Sequence, residues 1–299
     1  MSEGILLEAL EPFNYKENVS LQLQSTFKIG GKARFFFQPK QPSQLVKLIQ
    51  ILDENKINFL VFGRASNIVF ADVMKTDYII TTRSMKHLDI FNNEIKVEAG
   101  LPLRTLCYRC AQASLSGLEG LSGIPGSVGG AVYMNAGAYG YTISDYLTEV
   151  RVYDRKQKTI RILPKEDCGF DYRESLFQQR NQCVLQIKLK LKKRNQVCIL
   201  ADMKSIELKR TQKQPLDYPS AGSVFKKPSQ DFHPALEIES LGLKGYAIGG
   251  ACVSQKHSGF IITKNQDTAK DVKRLIGYLK EKVYNKTGIS LETEIEFFE

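Results

Sequence analysis

Apolar positions along this 299-residue chain recur in two rhythms, and each predicts a different element. Residues 33–38 read as a strand. Pro42 then opens a helix on which Leu45, Leu48, Ile49 and Leu52 share one face, at the three- and four-residue spacing a helix needs. Short apolar strands follow at 58–62, 78–81 and 95–98, and Pro102 opens a second helix to about residue 113. Residues 148–153 and 159–163 alternate as strands, and 183–192 is a longer one with Val184, Leu185, Ile187, Leu189 and Leu191 on its apolar side. From about 199 the character changes. A charged helix runs to Lys213, a Pro-rich turn follows, and a late helix over 267–285 buries Val272, Leu275, Ile276, Leu279 and Val283. A last strand over 291–298 places Leu291, Thr293, Ile295 and Phe297 on one face and Glu292, Glu294 and Glu296 on the other. The break near 195–200 divides the chain into two domains.

Two loops interrupt these rhythms. Seven of the twenty-one residues from Gly120 to Gly140 are glycine, and almost none carries charge. Glycine costs backbone entropy, so a folded chain concentrates it where the backbone turns tightly or approaches something closely. Bare amide N–H groups aimed at one point cradle phosphate oxygens. Ile124, Val128, Val132, Tyr133 and Met134 argue against disorder. The first apolar strand after the Pro42 helix runs into Gly63-Arg64-Ala65-Ser66-Asn67, about sixty residues earlier, where Ser66 and Asn67 add side-chain donors. Neither region carries the Gly-x-Gly-x-x-Gly that opens a helix after a strand in Rossmann domains. Two separate loops fit two jaws on one extended ligand, a dinucleotide.

Composition is that of a globular protein, 42% hydrophobic and 25% charged, and the net charge of +10 favours anionic partners without choosing among them. The densest basic run, 188–194, closes a strand and reads as a solvated face rather than a nucleic-acid patch. No apolar run reaches the ~18 residues of a membrane helix. The acidic N-terminus does not resemble a signal peptide, so a cytoplasmic protein is expected. Cys107 and Cys110 form a CxxC with no second pair at zinc spacing, and i, i+3 on a helix fits core packing. No metal site is expected.

Seven motifs occur in order: residues 26–31 (Thr-Phe-Lys-Ile-Gly-Gly); the 63–67 loop; Gly123-Ile124-Pro125-Gly126-Ser127-Val128-Gly129-Gly130-Ala131 with Asn135-Ala136-Gly137-Ala138; 169–175 (Gly-Phe-Asp-Tyr-Arg-Glu-Ser); 218–226 (Tyr-Pro-Ser-Ala-Gly-Ser-Val-Phe-Lys); 245–251 (Gly-Tyr-Ala-Ile-Gly-Gly-Ala); and 291–295 (Leu-Glu-Thr-Glu-Ile). Over residues 20–298 the chain thereby resembles the UDP-N-acetylenolpyruvoylglucosamine reductases, the MurB family of peptidoglycan synthesis. The resemblance implies an α+β protein. An FAD-binding domain of the vanillyl-alcohol-oxidase (PCMH) type, made of two α/β subdomains, would span 20–195, and a C-terminal α+β substrate-binding domain 200–299. It implies non-covalent FAD held by Gly63, Arg64, Ala65, Ser66, Asn67, Gly123, Ile124, Pro125, Gly126, Ser127, Gly129, Gly130, Asn135 and Gly137, with NADPH as co-substrate.

The implied reaction delivers a hydride to an enolpyruvyl ether and a proton to the neighbouring carbon. The protein must then stabilise a developing charge and supply an acid. By its place in the fourth motif Arg173 matches the residue that polarises the substrate, and a guanidinium grips a carboxylate with two parallel hydrogen bonds. Ser223 matches the proton donor. Glu294, second glutamate of the last motif, matches a further catalytic acid and is expected to be partly desolvated with a raised pKa. Tyr172, Lys213 and Lys227 match positions near the substrate, Lys213 suiting the UDP diphosphate. Lys227 stands where the family has asparagine, and Arg64 and Ala65 where it has glycines. Arg64 either reaches a phosphate or points outward. Only about forty residues separate Arg173 from Lys213, as in the shorter family type without the inserted tyrosine loop. A monomer is expected, with no nucleic-acid or membrane partner, and His257 is expected to be structural.

Two rivals remain. A sugar or alcohol oxidase of the same fold usually tethers its flavin to a histidine near the first loop, but no histidine lies within 58–86. A non-enzymatic basic binding protein accounts for the charge and leaves the glycine loops idle.

Overall fold

The computed structural model describes residues 3–263 and 268–299. It divides into two compact units. The first comprises the chain up to Asn18, Arg34–Arg64 and Thr76–Leu208; the second comprises Val19–Ala33, Ala65–Lys75 and Lys209–Glu299.

Two sheets organise the first unit. Lys32–Phe37, Tyr78–Thr81 and Phe59–Phe62 are parallel neighbours, with Phe35 and Phe59 both opposite Tyr78. The helix Pro42–Glu54 connects the outer two, and proline at its first turn gives up only an N–H that has no partner inside the helix. Its face of Leu45, Leu48, Ile49 and Leu52, joined by Val46, is fully buried against Phe35, Phe37, Tyr78 and Ile80. The second sheet is antiparallel and five-stranded, in the order Thr159–Pro164, Leu147–Asp154, Gln182–Lys190, Glu94–Glu98, Leu88–Phe91. Its apolar face (Val97, Val150, Val152, Ile187, Leu189) packs with the helices Leu103–Gln112 and Val128–Tyr133. Cys107 and Cys110 lie in that core, and burial pushes the Cys110 thiol up to about 12. All six cysteines are free thiols, and no cluster of metal-binding side chains occurs among the described residues. No helix among them is long and apolar enough to cross a membrane. At the basic run, Lys188 pairs with Glu94 and Arg194 with Asp202, while Lys192 and Lys193 are exposed.

The second unit is built on the helix Ala269–Thr287. Thr268 caps it by accepting the Asp271 N–H, and Gly288 ends it in a left-handed turn at φ 71°. Its expected start at Asp267 lies outside the described residues. Val272, Leu275, Ile276, Leu279 and Val283 pack on Phe27, Val69, Val224 and Ile295. A small antiparallel sheet (Ala247–Ile248, Ala251–Val253, Ile261–Thr263) completes the unit.

The expected strand over 291–298 is corrected to Glu296–Phe298, paired parallel with Ile68–Phe70. Thr293 first makes one antiparallel bridge to Phe225; the chain then bends at Glu294 and Ile295 and changes partner. The bend breaks the two-residue alternation, so Leu291, Ile295 and Phe298 are the buried positions and no continuous acidic stripe forms.

Candidate active site

In the first unit the two glycine loops meet. Gly63 ends its strand so close to Ser127 that a Cβ there would lie 1.9 Å from the Ser127 hydroxyl. Ser127, 1% exposed, caps the helix Val128–Tyr133 by accepting the Gly130 N–H at 3.3 Å. The Val128 and Gly129 amides donate to the carbonyls of Leu101 and Ala99 at 2.9 and 2.8 Å. The structure thus engages these three amides internally. Gly129 is required for packing, since a Cβ would lie 2.8 Å from that of Ala99. Gly130 is different: it is exposed, and its Cβ would touch only the Ser127 hydroxyl, at 3.4 Å. No side chain packed there requires a glycine at that position, and the open backbone leaves room for a ligand to lie on it.

Asn135 supplies a second feature that fits a ligand. It is 6% exposed and left-handed at φ 40°. Its Nδ2 donates to the Asp171 carbonyl at 2.8 Å, yet its buried Oδ1 has no partner among the described residues. An unmet buried acceptor costs roughly 1–3 kcal/mol, which a ligand N–H or O–H recovers. The residues present therefore fit a bound FAD. Gly123 and Ile124 are half-buried, and Pro125 is exposed. The Gly126 carbonyl accepts from the Leu103 N–H, which anchors the segment to the start of the Leu103–Gln112 helix.

Beneath the first loop lies a residue that no motif announced. Arg83 donates from Nε to the Gly63 carbonyl at 3.2 Å and from Nη2 to the Arg64 carbonyl at 3.1 Å; Thr81 Oγ1 adds a bond to Gly63. In a trans peptide the C=O and the following N–H point opposite ways, so drawing both carbonyls to Arg83 turns the Arg64 and Ala65 amides to the other side. Successive amides facing one way form an anion nest. Burial, and then the charge of Arg64, hold the Arg83 guanidinium below its usual pKa. Arg64 itself is exposed. Arg83→Met is expected to weaken FAD binding about 10- to 50-fold by losing charge-assisted bonds, and to leave riboflavin, which lacks the diphosphate, unchanged. Flavin titration of apoprotein checks both.

Arg173 occupies the tip of a tight hairpin turn closed by one isolated bridge, in which Asp171 and Glu174 donate to each other's carbonyls at 3.2 and 3.1 Å. Its backbone is left-handed at φ 57°. The half-buried guanidinium stacks over Tyr172 at 5.2 Å and donates from Nη2 to the Gly137 carbonyl at 3.0 Å. A Cβ on Gly137 would lie 3.4 Å from its Nη1. The folded first unit thus brings Arg173 and Tyr172 to the end of the glycine segment.

The second unit gathers a different set. Ala65, 3% exposed and at φ 48°, accepts from the Thr26 N–H at 3.3 Å. Asn67 Nδ2 donates to the Glu294 carbonyl at 2.9 Å, and the Glu296 N–H donates back to Asn67 at 2.9 Å. The Glu294 N–H donates to the Val224 carbonyl at 2.8 Å, so Ser223 and Glu294 lie on neighbouring backbones. Both are half-buried, as is Ser66. Glu292 pairs with Lys226 at 3.2 Å. Lys213, the last residue of the helix Gln196–Lys213, and Lys227 are exposed.

His257 is structural in its contacts. Nδ1 accepts the Gly259 N–H at 3.1 Å and the ring meets Phe260 edge-on. Burial holds its pKa below 6.5. The neutral ring is the folded form, so its contribution to stability is whole above pH 6.5 and is lost as pH falls from there toward the folded pKa. Melting temperature is expected to drop between pH 7 and 5 in the parent, and this component to vanish in His257→Asn; calorimetry across that range checks it.

Residues 33–163 match the FAD-binding domain family, so the two sheets of the first unit belong to an FAD-binding protein. Residues 214–298 match the C-terminal domain of UDP-N-acetylenolpyruvoylglucosamine reductase. The chain belongs to the UDP-N-acetylenolpyruvoylglucosamine reductases. It is 44% identical to that reductase of Fervidobacterium nodosum over 282 residues, covering 94% of this chain and 91% of the relative. Against the Thermotoga maritima protein the identity is 40% over 278 residues, covering 93% and 96%. The crystal structure of UDP-N-acetylenolpyruvylglucosamine reductase (MurB) from Thermus caldophilus matches with a TM-score of 0.81 at 31% identity, covering 95% of this chain and all of that one.

Proposed function

We propose that this chain reduces UDP-N-acetylglucosamine enolpyruvate to UDP-N-acetylmuramate, the peptidoglycan precursor, with FAD bound non-covalently and NADPH as donor. Bound FAD would supply the hydride chemistry that links NADPH to the enolpyruvyl carbon. Gly63–Asn67 and the 123–137 segment would hold it, with the open Gly130 and Asn135 Oδ1, unpartnered among the described residues, available to it. Arg173 grips the enolpyruvyl carboxylate and stabilises the charge that develops beside it; a guanidinium stays ionised throughout. Ser223 delivers the proton, and Glu294, held on the neighbouring backbone, supports it as a second acid or polarising group. Tyr172, Lys213 and Lys227 contact the substrate, the two lysines through its diphosphate.

The observation that carries this reading is the Arg173 guanidinium seated on the Gly137 carbonyl, at the end of the segment marked for flavin by Gly130 and Asn135. The stretch between Arg173 and Lys213 is taken up by the strand Gln182–Lys190 and the helix Gln196–Lys213, which supports the shorter family type without a tyrosine loop over the substrate. The enzyme works as a cytoplasmic monomer. A yellow purified protein that oxidises NADPH only when UDP-N-acetylglucosamine enolpyruvate is added meets the expectation. A colourless protein, or NADPH oxidation indifferent to that substrate, defeats it.

A further inference from the structure

The hairpin carrying Arg173 is tied to the glycine segment by side chains, and one of them has no place in the reading above. Gln178 lies in the short turn Leu176–Gln179, five residues beyond Arg173. Its Nε2 donates to the Arg173 carbonyl at 2.8 Å and to the Tyr133 carbonyl at 3.3 Å. Around it, Ser175 Oγ donates to Tyr133 at 2.6 Å, Asn135 Nδ2 to Asp171 at 2.8 Å, and Arg173 Nη2 to Gly137 at 3.0 Å. Its Nε2 also lies 3.7 Å from the Met134 sulfur, so its acceptors belong to different partners, Arg173 at the hairpin tip and Tyr133 and Met134 on the glycine segment.

Arg173 needs such support. A side chain with a Cβ pays a steric cost in the left-handed region, and it persists there only where the surroundings over-determine it. One amide nitrogen donates both to the tip and to the segment beside it. Side-chain contacts of this kind set where a guanidinium five bonds from its backbone arrives.

We propose that Gln178 is a positioning residue for Arg173: by donating to the carbonyls of Arg173 and Tyr133 it locks the strained tip onto the flavin-binding segment, so that the guanidinium meets the substrate carboxylate in one fixed place. This rests on the carboxylate-binding role of Arg173 proposed above. Gln178 then serves the half-reaction in which the enolpyruvyl group is reduced, and leaves flavin reduction by NADPH untouched. It also sharpens preference for a ligand that carries the carboxylate.

The test uses the FAD-loaded protein and two substitutions, Gln178→Glu, which keeps the shape and removes both donors, and Gln178→Met, which removes them without adding charge. Anaerobic stopped-flow absorbance follows flavin reduction by NADPH and reoxidation by substrate separately, and calorimetry measures binding of UDP-N-acetylmuramate and of UDP-N-acetylglucosamine, which lacks the carboxylate. Reoxidation is expected to slow by about 10- to 100-fold, the scale of a small misplacement of a reacting group. Flavin reduction, FAD content and UDP-N-acetylglucosamine affinity should stay at parental values while UDP-N-acetylmuramate binds more weakly. Parental reoxidation in both variants overturns the proposal, and so does loss of FAD from both. Arg173→Met, run alongside, separates the two readings: if it too reoxidises at the parental rate, the role of Arg173 falls; if it alone slows, only that of Gln178 does.

Discussion

Arg173→Met is expected to lower turnover by about 100- to 1000-fold, the range seen when a preorganised charge stabiliser is removed. The loss should fall on reoxidation of the flavin by substrate. Methionine keeps the length and apolar body of the stem and removes the charge and all five donors. The bond to Gly137 and the stacking on Tyr172 are lost with them, but the hairpin is closed by backbone bonds between Asp171 and Glu174, so the fold should survive. Lysine at the same position keeps a charge without the planar fork, and should recover only a small part of the rate. Stopped-flow kinetics of the separate half-reactions, with melting temperature as the control, decide it. An Arg173→Met enzyme reduced by NADPH and reoxidised by substrate at parental rates would show that the guanidinium touches nothing that reacts.

Gly63→Ala should yield a protein that no longer retains FAD. The added methyl would sit 1.9 Å from Ser127 Oγ, and neither side can yield cheaply. The Gly63 carbonyl is held by Thr81 and Arg83, and Ser127 is buried and caps the helix of the glycine segment. Displacing that hydroxyl forfeits a cap of about 1 kcal/mol. It also moves both loops proposed to hold the flavin, and FAD affinity is expected to fall at least about 100-fold, since a small displacement of converging groups is enough for that. Ser127→Gly removes the obstructing atoms, and glycine at an N-cap costs only a few tenths of a kcal/mol. The double substitution should therefore bind FAD better than Gly63→Ala alone, by about tenfold, a non-additivity expected of groups in contact. Flavin titration of the four proteins gives the cycle; a double variant no better than the single one would show that the clash is relieved elsewhere.

Much of this site was legible in the chain because its chemistry demands unusual letters. The glycines at 129 and 130 announce close approach, and the structure divides the work between them, one packing on Ala99 and the other left open. The helix faces at 45–52 and 272–283 were equally plain, since burial repeats with the helical period. Other features carry no periodic signal. Arg83 and Gln178 act on backbone carbonyls, and nothing in a lone arginine or glutamine says which carbonyl it will find. The alternation over 291–298 persists in the letters although the backbone bends at Glu294, because the partner changes there from Phe225 to the strand Ile68–Phe70. Local pattern is silent on partners. For the same reason nothing in the letters of 65–75 tells which core Val69 joins.

That shared membership has a consequence for biogenesis. Phe27, Ile29 and Val69 leave the ribosome well over a hundred residues before the helix Ala269–Thr287 against which they pack. Until translation is nearly finished these apolar segments have no finished nucleus to join, and a fragment terminated near residue 208 would keep them stranded. Such a fragment should be captured by holdase chaperones or precipitate, and the second unit cannot be excised as one contiguous stretch of gene.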